Sequence, residues 1–208
     1  MNTTPRTEDA SGFAPAPGAV RDFVAVDESG EFSYHRSEQD LVAAFEYTAE
    51  AACIMDRSGA GYRLELGPNR HLVLGPARGP VEFHWLRQAW LDAQSTHPEM
   101  YRLRRFFPPT REAVVQDVFE TLSLEHGPEP AEGSWSLGLN GAASYPANLP
   151  DIDSWLARQD RLEHVLVKDP FGHCYRPSRH RGHWYLPAQT GLILYVEVPA
   201  PAASHSGG

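Results

Sequence analysis

The chain has 208 residues, 41% of them apolar, with 27 acidic against 18 basic side chains and a formal net charge of −9 at pH 7. That is enough apolar material for one large domain or two small ones; the negative charge disfavours non-specific attraction to nucleic acid or anionic membrane and favours encounter with basic partners. Two cysteines, Cys53 and Cys174, imply no disulfide framework, and the most apolar run, Leu192 to Val196, falls far short of the ~20 residues of a membrane helix.

Residues 1–19 mix Thr, Pro, Ala, Gly and acids without a period, which predicts a flexible tail. No charged-then-apolar leader opens the sequence, so a cytoplasmic location is expected. A first α+β unit is expected over residues 20–124. Val20–Val26 alternates as a strand, Asp27-Glu-Ser-Gly30 supplies a turn, and Glu31–His35 returns as its partner. Ser37 with Asp40 resembles a capping box and opens a helix over Gln39–Glu50. Short strands follow at Ala52–Asp56, Tyr62–Leu66 and His71–Gly75. Two further helices are expected in this half. Val81–Gln94 carries Val81, Trp85, Leu86, Ala89, Trp90 and Ala93 as an apolar stripe, and Thr110–Leu124 carries Val114, Val115, Val118, Phe119 and Leu122 on one side.

Residues 125–134 interrupt every period with Pro, Gly and Glu and read as a linker. A second α+β unit is expected over 135–199. It contains strand Trp135–Leu139, the pair Ser144-Tyr145, helix Asp151–Gln159, and strands at Glu163–Lys168, His183–Leu186 and Leu192–Val198; residues 200–208 form another tail. The fold class is therefore α+β.

One pattern occurs twice: Asp56-Arg-Ser-Gly59-Ala-Gly-Tyr62-Arg63 and Asp169-Pro-Phe-Gly172-His-Cys-Tyr175-Arg176, both D-x-x-G-x-x-Y-R. Each follows a strand-like alternation and a helix, so about forty residues recur as one supersecondary unit and an internal duplication is expected. Asp56 and Asp169 suit the start of a type I turn, where the carboxylate accepts backbone N–H groups, and Gly59 and Gly172 suit the left-handed position that follows. Tyr62 and Tyr175 should then face the core, and Arg63 and Arg176 the opposite side. The expected core comprises Leu41, Phe45, Ile54, Tyr62, Leu72, Leu74, Trp85 and Trp90 in the first half. In the second it comprises Trp155, Leu156, Val165, Val167, Tyr175, Tyr185, Ile193 and Tyr195.

Cys174, His180 and His183 form the densest set of metal-ligating residue types, with zinc the metal they suit. Their spacing matches no structural zinc signature, and the expectation is that no cofactor is bound. Two basic-aromatic runs, Tyr101 to Phe107 and Tyr175 to Arg181, could meet phosphates and bases, but the overall acidity favours intramolecular charge pairing, so nucleic acid is not the partner expected. Walker, nucleophile-elbow, H-E-x-x-H and Rossmann signatures are absent.

These features favour a non-catalytic acidic binding protein whose partner is another, basic protein, in the manner of an immunity-like or antitoxin-like inhibitor. The alternative is a small metal- or His-dependent enzyme in the C-terminal half. In that reading His180 and His183 work with Cys174, and Arg176 and Arg179 hold an anionic substrate.

Overall fold

The computed structural model describes residues 21–127, 134–139, 142–180 and 191–200. Strands β1 (Phe23–Asp27) and β2 (Phe32–His35) form a hairpin whose turn is fixed by the Asp27 carboxylate, which accepts the N–H groups of Ser29 and Glu31. Helix α1 (Glu38–Ala43) starts on Ser37, whose hydroxyl accepts the Asp40 N–H. It is half the expected length. The Glu50 carboxylate accepts from the N–H groups of Glu46 and Tyr47, diverting into a turn the donors a longer helix would use. Strands β3 (Ala51–Asp56), β4 (Gly61–Tyr62), β5 (Leu64–Leu66) and β6 (Leu72–Leu74) follow; β2-β1-β3-β4 make one antiparallel sheet, and β5-β6 a separate ribbon.

This sheet is covered on both faces, which explains why Phe23 to Val26 are buried without alternation. Phe23, Ala25, Ile54 and Tyr62 pack with Leu41 of α1, while Val24, Val26, Phe32 and Met55 pack beneath two helices, α2 (Phe83–Thr96) and α3 (Arg111–His126). In α2 the buried face is Leu86, Trp90 and Ala93. Trp85, expected in the core, is 41% exposed because it lies about 100° round the helix from Leu86. Between the helices a short strand, β7 (Leu103–Arg104), leaves this layer for the second sheet.

Helix α3 departs further from its one-sided pattern: from Val114 to Leu124 every residue but Gln116 is buried, Asp117 and Glu120 included. It also runs on through His126, so Glu125 and His126 are helical rather than part of a linker, and residues 128–133 of that expected linker lie outside the described residues. Glu125 is held by what it binds, since its carboxylate accepts the N–H groups of Arg102 (2.5 Å) and Leu103 (2.7 Å).

The second sheet contains β8 (Ser136–Leu139), β9 (Ala142–Ser144), β10 (Val165–Lys168), β11 (Cys174–His180) and β12 (Leu192–Val198), with helix α4 (Leu149–Leu156) between β9 and β10. Its order is β7-β12-β11-β10-β8-β9, antiparallel except for the β7–β12 pair. The run β9-β8-β10-β11 has the same connectivity as β2-β1-β3-β4, with a helix between the second and third strands in sequence in both. One face packs Leu137, Val165, Val167, Tyr175 and Tyr195 against Ile152 and Leu156 of α4, with Trp135 and Leu103 at its side. Phe45, Leu72, Leu74 and Trp155 are only partly buried, and the expected strand His183–Leu186, with its core residue Tyr185, lies outside the described residues, as do both expected tails apart from Ala200 at the last strand's exit.

Both D-x-x-G-x-x-Y-R stretches form hairpin turns with the same bonds. Asp56 exchanges backbone bonds with Gly59 and Ala60, and Asp169 with Gly172 and His173; the glycines take φ of 77° and 101°. Replacing either glycine with valine forces a β-branched residue into the left-handed region and is expected to cost about 1–3 kcal/mol. Gly59→Val should be the worse of the two by urea denaturation, because a Cβ there lies 3.2 Å from Val115 of α3, whereas at Gly172 the nearest atom is Lys168 Cε at 4.0 Å.

Candidate functional site

The turn carboxylates are each locked by a tyrosine and an arginine. Tyr62 donates to Asp56 Oδ2 at 2.8 Å, and Arg21 binds the same oxygen at 2.5 Å and also the tyrosine hydroxyl. Tyr175 donates to Asp169 Oδ2, and Arg105 binds that oxygen, both at 2.8 Å, and reaches the tyrosine hydroxyl at 2.7 Å. Asp56 and Asp169 thus serve structural clamps, and Asp56 sits below the ordinary carboxylate range: burial would raise it, but bonds from Ser58, Tyr62 and Arg21 outweigh that. The two arginines come from unrelated places, one just before β1 and the other just after β7.

Their surroundings differ as well. Arg21 is 39% exposed, Arg105 only 3%. Arg105 reaches the surrounding acids through its other nitrogen, donating to Glu120 at 2.5 Å and lying 3.5 Å from Asp117. His173, directly after the second turn glycine, bridges Glu120 and Glu197, its Nδ1 lying 2.7 Å from Glu197 and its Nε2 3.4 Å from Glu120. Four carboxylates therefore meet one guanidinium and one imidazole, and even with His173 protonated the group keeps a charge of −2.

The electrostatics of the individual groups follow from their partners. Burial raises Asp117 to about 6 against the pull of Arg105 and the Trp90 indole N–H. Burial also acts on Glu120, but bonds from His173, Gln116 and Arg105 overcome it and bring the carboxyl to about 2. His173 is raised by Glu120 first and Glu197 next, against its own burial.

This cluster floors a cleft of about 280 Å³. Its walls are Phe106, Phe107, Pro108 and Pro109, which carry the chain from β7 to α3, together with Ala113 and Gln116. Phe106 and Phe107 are 56% and 62% exposed, side by side above the acids. Pro108 and Pro109 keep this stretch out of helix until Thr110 caps α3. Asp117 and Glu120 lie one turn apart on α3 and so face the cleft together.

Among the described residues, those singled out from sequence are not brought together here. Cys174 and His180 occupy opposite ends of β11, six residues and roughly 20 Å apart. Cys174 is buried on the sheet face opposite Tyr175, and His183 lies outside the described residues. Among the described residues no group of three His, Cys, Asp or Glu side chains is placed to hold a metal ion. Arg176 and Arg179 point to opposite faces of the sheet. Arg179 donates to the Leu156 and Gln159 carbonyls at the end of α4, whereas Arg176 lines a broad depression of about 620 Å³ with Glu163, His164 and Leu166.

The run Tyr101 to Phe107 is directed inward as far as Arg105: Tyr101 and Leu103 are buried, Arg102 pairs with Asp153, and Arg104 donates to the Gln94 carbonyl, whereas Phe106 and Phe107 are exposed. In the sequence, Arg105 at the centre of the site stands out only as part of a charge-balancing run. The available signal was Asp117 and Glu120 on an otherwise apolar helix. Compared with protein-family models, curated proteins and solved structures, the chain matches none.

Proposed function

We propose that this chain is a non-catalytic acidic binding protein that docks a basic protein partner at the Phe106–Phe107 cleft, as an immunity-like or antitoxin-like inhibitor would. The observation that carries this reading is the pairing of two exposed phenylalanines with a buried floor of net negative charge. Apolar anchors rimmed by charge mark interaction surfaces, and the overall charge of −9 adds long-range steering toward a cation-rich partner. No helix among the described residues is long and apolar enough to cross a membrane, and a cytoplasmic location is part of the proposal. We also infer that the two ββαββ units arose by duplication; their shared strand order and paired Asp–Tyr turns support this.

The alternative, a metal- or His-dependent enzyme acting on an anionic substrate in the C-terminal half, has the geometry of β11 against it, since Cys174 lies far from His180 and Arg176 faces away from Arg179. Affinity capture with the wild-type protein and a Phe106→Ala/Phe107→Ala variant separates the two readings. A basic protein retained at low salt, released at high salt and missed by the variant is the expected result. No variant-sensitive partner, together with turnover of a small molecule that is lost in His180→Ala, would overturn the binding reading.

A further inference from the structure

Resting on the reading of the cleft as a docking site, we propose that its occupant is an arginine side chain of the partner, its guanidinium lying against Phe106 and Phe107 and donating to the Asp117 carboxylate. The floor of the cleft has one acceptor left over. Gln116 and Arg105 supply the two oxygens of Glu120, and the Phe106 N–H and His173 those of Glu197. Asp169 receives the His173 N–H on one oxygen and Tyr175 and Arg105 on the other. Asp117 Oδ2 takes the Trp90 indole N–H at 3.2 Å, but Oδ1 accepts no hydrogen bond: Arg105 pairs with it only at 3.5 Å, and the side chain is 9% exposed. A buried acceptor without a donor is unfavourable, so a donor entering the cleft gains more there than at a hydrated surface.

The charge and shape of the cleft select among donors. The residual charge of the cluster excludes phosphate and carboxylate ligands, and a divalent metal ion would meet the Arg105 guanidinium at the centre of the acids. A volume of about 280 Å³ is at the lower limit for a cofactor and suits one long side chain. Between the two cationic side chains the aromatic wall favours arginine, whose planar, weakly hydrated guanidinium stacks on phenyl rings, whereas an ammonium group must give up tightly held water. The fold already packs guanidinium groups this way beside the cleft: Arg87 lies 5.6 Å from the Phe107 ring centre, and Arg105 lies 5.9 Å from that of Phe171.

The Trp90 indole N–H is bonded to Asp117 and reports on it. In ¹H–¹⁵N spectra of the full chain, with this resonance assigned by its loss in Trp90→Phe, titration with a blocked peptide containing a single arginine should shift the signal. The matching lysine peptide should bind about tenfold more weakly, the equivalent of one charged hydrogen bond. Phe107→Ala, a change at an exposed residue, and Asp117→Asn, which keeps an acceptor for Trp90, should each weaken the arginine peptide by a similar factor. An unmoved Trp90 signal at saturating peptide, equal binding of the two peptides, or an unchanged affinity in Phe107→Ala would overturn the assignment. If the peptide fails but a basic protein is still captured through Phe106 and Phe107, only the occupant is wrong; if both fail, the docking reading falls with it.

Discussion

Arg105→Met is expected to destabilise the protein by about 3–5 kcal/mol, because it leaves buried carboxylates without their cation. Asp117, Glu120 and Asp169 all face this guanidinium, and its side chain is 3% exposed, so water cannot replace it. The comparison that isolates burial is Arg21→Met, which removes the same clamp from Asp56 and Tyr62 at a site where the arginine is 39% exposed. There the loss should be about 1 kcal/mol or less. Urea denaturation of the two variants measures the difference, and equal losses would mean that the cluster is solvated rather than enclosed. Arg105 also joins helix α3 to the second turn and to the strand that enters the second sheet, so its removal should loosen both layers together.

Stability is expected to fall as pH rises from about 5 to 8, the reverse of a protein whose carboxylates are all well paired. Burial raises Glu125 from 4.5 to about 7 and Asp117 from 3.8 to about 6, so over those intervals the folded chain holds protons that the unfolded chain releases. Each contributes stability that is present at low pH and lost as the carboxyl ionises. His173, raised chiefly by Glu120, acts in the same direction above its ordinary range. Glu120 opposes them only in acid, since its carboxyl is held near 2 and its contribution is lost as pH falls below about 4.5, and His35 and His126, which burial holds below the ordinary imidazole value, oppose them only below about 6.5. For Glu125 alone the upward shift corresponds to a loss on the order of 3 kcal/mol by pH 8. Glu125→Gln keeps the acceptor for the N–H groups of Arg102 and Leu103 and removes the charge beside an unpartnered buried oxygen. It should flatten the pH dependence and leave the variant more stable than wild type at pH 8, which thermal melts across the pH range would show.

The sequence was informative where structure is local. Asp and Gly three residues apart dictate a turn, and the tyrosine six residues after Asp returns to cap the same carboxylate, so both turns were legible at Asp56 and Asp169. Composition locates β12 to the residue, because Leu192–Val198 is nearly all β-branched, aliphatic or aromatic. What escaped was long-range. Arg105 meets Asp169 across 64 residues and Arg21 meets Asp56 across 35, and nothing in the spacing of either pair announces it. Helix α3 looked one-sided because Asp117, Glu120 and Glu125 occupy what should be a wet face. That face is instead covered by Arg105, His173 and the backbone of Arg102 and Leu103. The short α1 has the same kind of cause, since one carboxylate, Glu50, ends the helix that its neighbours favour. The Cys174–His180–His183 set suits a metal by residue type alone, whereas the strand conformation of β11 separates its first two members.

The most direct test of the cleft as a cation site is a carboxyl ¹³C titration of Asp117 in the free protein and again with the arginine peptide bound. Free Asp117 should titrate near 6, and the bound guanidinium, by favouring the ionised form, should lower that value by about one unit or more. An Asp117 that titrates in the ordinary carboxylate range, and does not move when the peptide is added, would contradict a buried carboxylate open to a second cation beside Arg105.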